Sequence, residues 1–170
     1  MAMKDLRNLD INLFNFISSG LRILDGYTVL TGYNQNWVTS GIYLMDGHPE
    51  DFNNIKIPAI SIEHEYSREE AFQIGTGKTN VRRFGIDVYA RTDGERDDLS
   101  ELVRNYFDRT IPVINYNDFY SLGIYTYVGL ADFDNVVMYP SRDSTIKQLK
   151  HRMSIKFDVI VHINTGSSLV

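Results

Sequence analysis

The sequence predicts an α+β fold, a mostly antiparallel β-sheet with two main helices packed on one face and a long β-hairpin arm. Two observations predict it. From Arg83 to Arg91 apolar residues alternate with polar ones, which is the period of a strand with one buried face. From Leu99 to Phe107 the apolar residues recur every three or four positions, which is the stripe of an amphipathic helix. Because each apolar face needs a cover, this strand and this helix are predicted to pack on one another.

The predicted core lies on these two faces and on one face of the last strand. It consists of Phe84, Ile86, Val88, Leu99, Leu102, Val103, Phe107, Phe157 and Val159.

The other elements are predicted in chain order from the same two periods. A first helix spans Asp5–Gly20, and Leu21 and Leu24 extend its apolar stripe. The last strand, which begins at Met153, is predicted to be the longest. The predicted strands are Tyr27–Leu30, Ile42–Met45, Ile57–Tyr66, Val81–Arg91, Ile124–Leu130, Val136–Tyr139 and Met153–Ile163.

The second helix is predicted over Glu95–Arg109. Thr92 can cap its N-terminus together with Glu95 three residues further on, and Pro112 prevents its continuation. Upstream of this helix, Ser67–Asn80 joins two predicted strands and is longer than a hairpin needs. We predict that this connection is a polar arm that binds a partner, since binding residues often lie on loops carried by a rigid scaffold. The candidate subunit or partner interface consists of Arg68, Glu69, Glu70, Lys78, Arg82 and Arg83.

Composition limits the class of protein. The chain has 170 residues, which fits one domain over residues 1–163 with a flexible C-terminal tail at 164–170. It has no cysteine, which excludes disulfides, thiolate nucleophiles and cysteine zinc sites. No apolar run approaches the roughly 20 residues of a membrane span, and the N-terminus has no apolar signal region. The net charge of −5 argues against tight general binding of nucleic acid.

Residues 75–79, GTGKT, are similar to the end of a phosphate-binding loop. That motif needs a glycine five residues before Gly77 and a helix after the loop. Phe72 occupies the first of these positions, and a strand is predicted from Val81. We therefore predict a glycine-containing loop without a nucleotide site.

Other residues with catalytic or metal-binding chemistry lack the geometry for it. In the EHE stretch at residues 63–65, His64 faces away from the two glutamates on a strand, so the three side chains cannot share one ion. We predict no catalytic residue, no metal and no cofactor. The alternative from another class is a small enzyme of unknown chemistry whose pocket contains Asp87, Tyr89 and His162. A deep cavity with groups of shifted pKa would favour it.

Two stretches carry a resemblance to a known family. They are residues 57–75, IPAISIEHEYSREEAFQIG, and residues 84–103, FGIDVYARTDGERDDLSELV. With the predicted order of helix, strands, long hairpin, strand, helix and strands, they resemble the tail terminator (tail completion) proteins of long-tailed bacteriophages. Related phage neck proteins also have an extended strand that runs into a helix with an opening similar to ERDDLS. The likeness covers Ile57–Ile111.

The resemblance implies a structural virion protein and no enzyme. Members of the family form a homohexameric ring that closes the head-proximal end of the tail tube, and the family has no catalytic residues to carry across. The implied partners are further copies of the chain, the tail tube protein, a head–tail connector or neck protein, and genomic DNA that passes through the lumen without sequence-specific binding. No membrane is implied, and the expected location is the virion, after assembly in the host cytoplasm. The alternatives in this class are a head–tail stopper or neck protein and a tail-tube-like protein.

Overall fold

The computed structural model describes residues 2–31, 41–47, 49, 55–71, 78–115, 123, 126–141 and 150–163. The helices are α1 (Ala2–Ser19), which continues into a π-helical turn (Gly20–Leu24), and α2 (Asp93–Tyr106). The strands are β1 (Thr28–Thr31), β2 (Gly41–Asp46), β3 (Ala59–Ala71), β4 (Lys78–Tyr89), β5 (Ile111–Asn115), β6 (Thr126–Pro140) and β7 (Arg152–Ile163).

The seven strands form one sheet in the order β1-β2-β3-β4-β7-β6-β5. The pairs β1–β2 and β2–β3 are parallel, and the four remaining pairs are antiparallel. Helices α1 and α2 both contribute to the core on one face of this sheet. The α+β class, the mostly antiparallel sheet and the two helices on one face are therefore confirmed.

The core forms where the apolar faces of β4 and β7 pack against the apolar face of α2. Eight of the nine predicted core residues are buried, and the ninth, Leu102, is partly buried against them. Three aromatic contacts centre on Phe157, with ring centroids 4.3 Å from Phe107, 5.7 Å from Phe133 and 6.0 Å from Phe84. Such contacts add to the free energy that burial of the apolar surface provides.

The N-terminus of α2 has the predicted cap. Thr92 is extended (φ −138°, ψ 162°), and its Oγ1 accepts a hydrogen bond of 3.1 Å from the backbone N–H of Glu95. The Glu95 carboxylate in turn accepts a hydrogen bond of 2.7 Å from the N–H of Arg91, one residue before the position that a capping box uses. These bonds fix the point at which β4 ends and α2 begins.

Side chains of the first helix cover both terminal strands of the sheet. Asn12 donates to the carbonyl of Ile114 at 2.9 Å and accepts from its N–H at 3.1 Å, so it pairs with β5 as a neighbouring strand would. At the other end of the sheet, Arg22 donates to the carbonyl of Val29 in β1 at 3.2 Å. Both contacts occupy backbone groups that an edge strand would otherwise expose.

The described residues do not show the predicted hairpin arm as a separate feature. Strand β3 continues to Ala71 and β4 begins at Lys78, and these two residues pair in the same ladder as the rest of the hairpin. Strand β7 accompanies β4 as far as the pair Asn80–Val161. Most of the connection that the sequence predicted is therefore strand within the sheet, while residues 72–77 lie outside the described residues.

Several expectations are wrong. The strand predicted at Val136–Tyr139 and the described part of the strand predicted at Ile124–Leu130 belong to the one strand β6, which at 15 residues is longer than β7 at 12. Strand β5 was not predicted, because Pro112 suggested only the end of a helix. Leu21 is buried as predicted, but Leu24 is exposed. The predicted tail at 164–170 lies outside the described residues.

Candidate interaction surfaces

Strands β3, β4, β7 and β6 carry a row of polar side chains on the face of the sheet that the helices leave uncovered, which we call the helix-free face. Alternation along each strand and the register between strands decide which residues lie there. Phe84 lies opposite Phe157 on the helix-covered face, while Arg83 lies opposite Asp158 on the helix-free face. Polar residues at the alternate positions of predicted strands are thus brought together across the sheet.

The first group of this row centres on Asp158, whose side chain is buried. Nε and Nη2 of Arg83 donate to its two carboxylate oxygens at 2.8 and 2.9 Å. Asn135 of β6 donates to the same carboxylate at 3.0 Å. Asn135 has a positive φ of 52° at the point where the β6–β7 register shifts, so a bulge turns its amide toward Asp158. These contacts join β4, β7 and β6.

The second group crosses β4 without contacting a β4 side chain. Glu65 of β3 forms an ion pair of 2.6 Å with Lys156 of β7, although β4 lies between the two strands. Gly85 of β4 makes this possible, since a Cβ at that position would lie 3.2 Å from Oε1 of Glu65. The glycine leaves room for the glutamate to lie over the backbone.

The third group centres on the buried carboxylate of Asp87. Arg152 donates to it at 2.6 Å, the hydroxyl of Ser154 donates to its other oxygen, and the hydroxyl of Tyr89 lies 3.4 Å away. Burial, followed by the charge of Asp87, raises the pKa of Tyr89 to about 12. Tyr89 is buried by a small apolar cluster that includes Tyr43.

We call these three groups the polar belt: Glu65, Arg83, Asp87, Asn135, Arg152, Ser154, Lys156 and Asp158. Each arginine or lysine of the belt pairs with a carboxylate of the belt. The arrangement therefore offers a nearly neutral, hydrogen-bonded surface and holds four strands in register. Sequence reasoning did not identify it as a unit, but the signal was present as charged residues at several alternate positions of the two strands, such as Arg83 and Asp87 in β4 and Lys156 and Asp158 in β7.

The predicted interface residues do not lie on one surface. Arg82 is only 4% exposed and faces the helix-covered side opposite Val159, while Arg83 belongs to the polar belt. Arg68, Glu69 and Glu70 lie in β3, and Lys78 begins β4. These four backbone positions share one end of the β3–β4 ladder, and their role in an interface stays a prediction.

The pocket proposed for the alternative enzyme is not assembled. Asp87 and Tyr89 lie together, but His162 lies opposite Leu130, at the far end of β7 from Ser154, the residue that faces Asp87. At about 3.4 Å per residue the two positions are roughly 27 Å apart along the strand. His162 instead lies 3.1 Å from a carboxylate oxygen of Asp132.

A cleft of about 550 Å³ lies between the N-terminus of α2 and the start of β1 and β2. Asp25, Arg91, Glu95 and Asp98 contribute its charged lining. Next to it, the hydroxyl of Tyr106 donates to Asp25, and burial together with this bond raises the pKa of Tyr106. The cleft is wide and mostly acidic, so its charges favour a cation or a basic segment over an anionic ligand.

The π-helical turn exposes two large apolar side chains, Ile23 (78%) and Leu24 (58%). Beside them lies a shallow apolar groove of about 180 Å³ that includes Phe16 and Tyr106. A Cβ at Gly20 would lie 2.8 Å from the ring of Tyr106, so the glycine lets that ring pack against the turn. The sequence signal was the pair Ile23-Leu24 beyond the end of the predicted helix.

A partly buried acid interrupts the helix-covered face. Asp10 of α1 lies near His64 and Arg82, and its Oδ1 is buried without a hydrogen-bond partner among the described residues. Burial raises the pKa of Asp10, while the charges of His64 and Arg82 oppose this change. His64 packs edge-on against Phe84 at 5.2 Å, away from the helix-free side on which Glu65 lies, as its position on a strand predicted.

The described residues form neither a metal-binding cluster nor a membrane-spanning helix. Within them, no group of three or more histidine, aspartate or glutamate side chains is placed to hold a metal ion. No helix among the described residues is long and apolar enough to cross a membrane. Lys78 and Thr79, the end of the GTGKT stretch, begin strand β4 rather than a helix.

Comparison with known proteins adds no assignment. No protein-family model matches the chain, and no curated protein is significantly similar to it in sequence.

Proposed function

We propose that this chain is a tail terminator of a long-tailed bacteriophage, which forms a ring at the head-proximal end of the tail tube and joins tail to head. One observation carries the proposal: the residues that resemble the family, Ile57–Ile111, coincide with a continuous structural unit. This unit consists of β3, β4 and α2, and the cap at Thr92 fixes its central junction. The resemblance therefore extends across a specific helix cap as well as across strand patterns.

Two further features are compatible with such a ring. A ring needs two different patches on opposite sides of each subunit, because its interfaces are heterologous. The ends of this sheet differ, with parallel strands at β1–β2 and antiparallel strands at β6–β5. A channel for DNA should also not retain its cargo. The net charge of −5 and the pairing of cations with carboxylates in the polar belt suit that requirement.

The proposal is tested in the phage or prophage whose genome carries this gene. A nonsense mutation at an early codon should leave DNA-filled heads and separate tail tubes of irregular length, visible by negative-stain electron microscopy. The purified chain, added to the mutant lysate, should restore joined particles and infectivity. Immunogold label on the chain should lie at the end of the tube that meets the head.

The same experiment separates the alternatives within the virion class. A stopper or neck protein would leave tubes of normal length, and the label would lie on the heads. A tail-tube-like protein would leave no tubes, and the label would lie along the whole tail. Joined, infectious particles in the absence of the chain would exclude all three roles.

A further inference from the structure

Two internal strands of the sheet extend beyond their outer neighbours. Strand β2 pairs with β3 only as far as Asp46–Ile62, and β5 pairs with β6 only as far as Ile111–Ala131. Beyond these pairs the described residues place no strand beside the outer side of β3 or of β6. We call Tyr66–Ala71 the β3 overhang and Val137–Pro140 the β6 overhang.

The two terminal strands, β1 and β5, differ from the overhangs because side chains bind some of their outer backbone groups. Asn12 occupies both backbone groups of Ile114 in β5, and Arg22 occupies the carbonyl of Val29 in β1. Side chains that bind the outer backbone of an edge strand prevent another strand from pairing there. Part of the outer backbone of β5 and of β1 is therefore already occupied, and the two overhangs are the other edges that the described residues leave without a neighbouring strand.

The directions of the two overhangs, and their positions along the strands, allow pairing between copies. Strand β4 is antiparallel to both β3 and β7, and β7 is antiparallel to β6, so β3 and β6 run in opposite directions. The β6 overhang lies level with the beginning of β7, around Met153–Lys156. The β3 overhang is level with its end, because Arg83 and Asn80 connect it to Asp158 and Val161. Among the described residues, the sheet thus has one overhang at each side, and the two lie at opposite ends of the strands.

We propose that the β6 overhang of one copy pairs, antiparallel, with the β3 overhang of the next copy, so that the sheet continues from subunit to subunit. This inference rests on the proposed ring and names its interface. In this arrangement β5 of the first copy lies beyond the end of the neighbour's β3, and the neighbour's β1 and β2 lie beyond the end of β6. The shorter outer strands of one copy therefore do not overlap with those of the next copy.

The apolar content of the β6 overhang supports a protein partner at this edge. Tyr139 is 51% exposed and Val137 is 43% exposed, and both lie on the helix-free face. Exposed apolar side chains on an edge strand favour a protein partner, and the backbone pairing would come from Val137–Tyr139, since Pro140 has no N–H to donate. The offset along the strands between neighbouring copies also permits closure, because a closed sheet requires tilted strands and a stagger between them.

The first experiment uses the absence of cysteine, which allows single cysteines to report contacts between copies. We expect a bis-maleimide of short span to join Arg68→Cys protein to Tyr139→Cys protein when the two are mixed, because both positions lie on the helix-free face. Neither variant should cross-link alone, because the interface places β3 against β6. A chain with both changes should give a ladder of bands. The control pair, Thr28→Cys with Tyr139→Cys, tests the β1 edge and should give no cross-link.

The second experiment compares two lysines on the same strand. Leu130 and Val137 are both 43% exposed on the helix-free face of β6, but only Leu130 lies in the part that β5 covers. Val137→Lys should reduce self-association at least tenfold, as measured by light scattering during size-exclusion chromatography, with an unchanged melting temperature. Leu130→Lys should associate as the unmodified chain does.

The outcomes of these experiments test the proposed interface separately from the proposed tail terminator function. The inference is overturned by oligomers that the Arg68–Tyr139 pair does not cross-link, by equal effects of the two lysines, or by a chain that remains monomeric in all conditions. A cross-linked ladder from a chain that never joins tails would retain the interface and reject the tail terminator role. Tail joining by Val137→Lys protein would retain the role and reject the interface.

Discussion

On the helix-covered face, β4 and β7 meet through the rings of Phe84 and Phe157, whereas on the helix-free face the same two strands meet through Arg83 and Asp158. Alternate residues of the same strands therefore form an apolar core on one side and a network of ion pairs on the other. The apolar contacts are non-directional and tolerate small shifts, while the bidentate ion pair accepts a single register. Core packing thus supplies most of the stability, and the polar belt specifies how the strands align.

The largest effect is expected on the helix-covered face. Phe107→Ala removes a buried ring that contacts Phe157 and Phe133, and it should lower the free energy of unfolding by about 3–5 kcal/mol. Urea denaturation followed by circular dichroism measures the change. Leu130→Ala, at an exposed site, is the control and should change stability by less than about 0.5 kcal/mol. Equal effects of the two changes would mean that α2 does not pack on the sheet as described.

A smaller effect is expected from the centre of the polar belt. Asp158→Ala leaves Arg83 and Asn135 without their shared acceptor and should cost about 2–3 kcal/mol, less than a fully buried pair because Arg83 is partly exposed. A double-mutant cycle with Arg83→Met isolates the coupling between the two side chains. A coupling near zero would show that the belt contributes no register specificity through this pair.

The partly buried Asp10 on the helix-covered face predicts a pH dependence. Because the pKa of Asp10 is raised above its usual 3.8, the folded chain binds this proton more tightly than the unfolded chain does. The resulting stability is fully present below pH 3.8 and is lost as the pH rises through the raised pKa. Asp10→Asn should therefore flatten the dependence of stability on pH above pH 3.8. Melting temperatures from pH 4 to 7 test this, and parallel curves for the two proteins would contradict it.

The smallest effect is expected at the exposed end of the polar belt. Lys156→Met removes the ion pair with Glu65, which is partly exposed and should contribute less than about 1 kcal/mol. The difference between the two proteins should shrink in high salt, because salt screens exposed charges. The matched change Gly85→Ala should have a similar effect by displacing Glu65. A difference that is independent of salt would assign the role of Lys156 to packing rather than to charge.

The sequence by itself determined the elements whose periodicity is strong and continuous. The alternation in β4 and β7, the stripe of α2 and the cap at Thr92 are local patterns, and the structure has each of them. The core followed for the same reason, since it lies on the faces that those periods define. Local sequence is sufficient to predict a helix or a strand where consecutive residues all follow the period of that element.

Tertiary structure decided the features that depend on a partner strand. Ser67–Ala71 is polar and reads as a loop, but it is strand because β4 pairs with it. Strand β6 continues through the bulge at Asn135 because β7 pairs with it both before and after the bulge. The short strand β5 forms beside β6 and under Asn12, which lies about 100 residues away in sequence. Backbone hydrogen bonds between distant strands leave little trace in either sequence, so the polar belt, the terminal contacts and the overhangs emerge only when the strands are assembled.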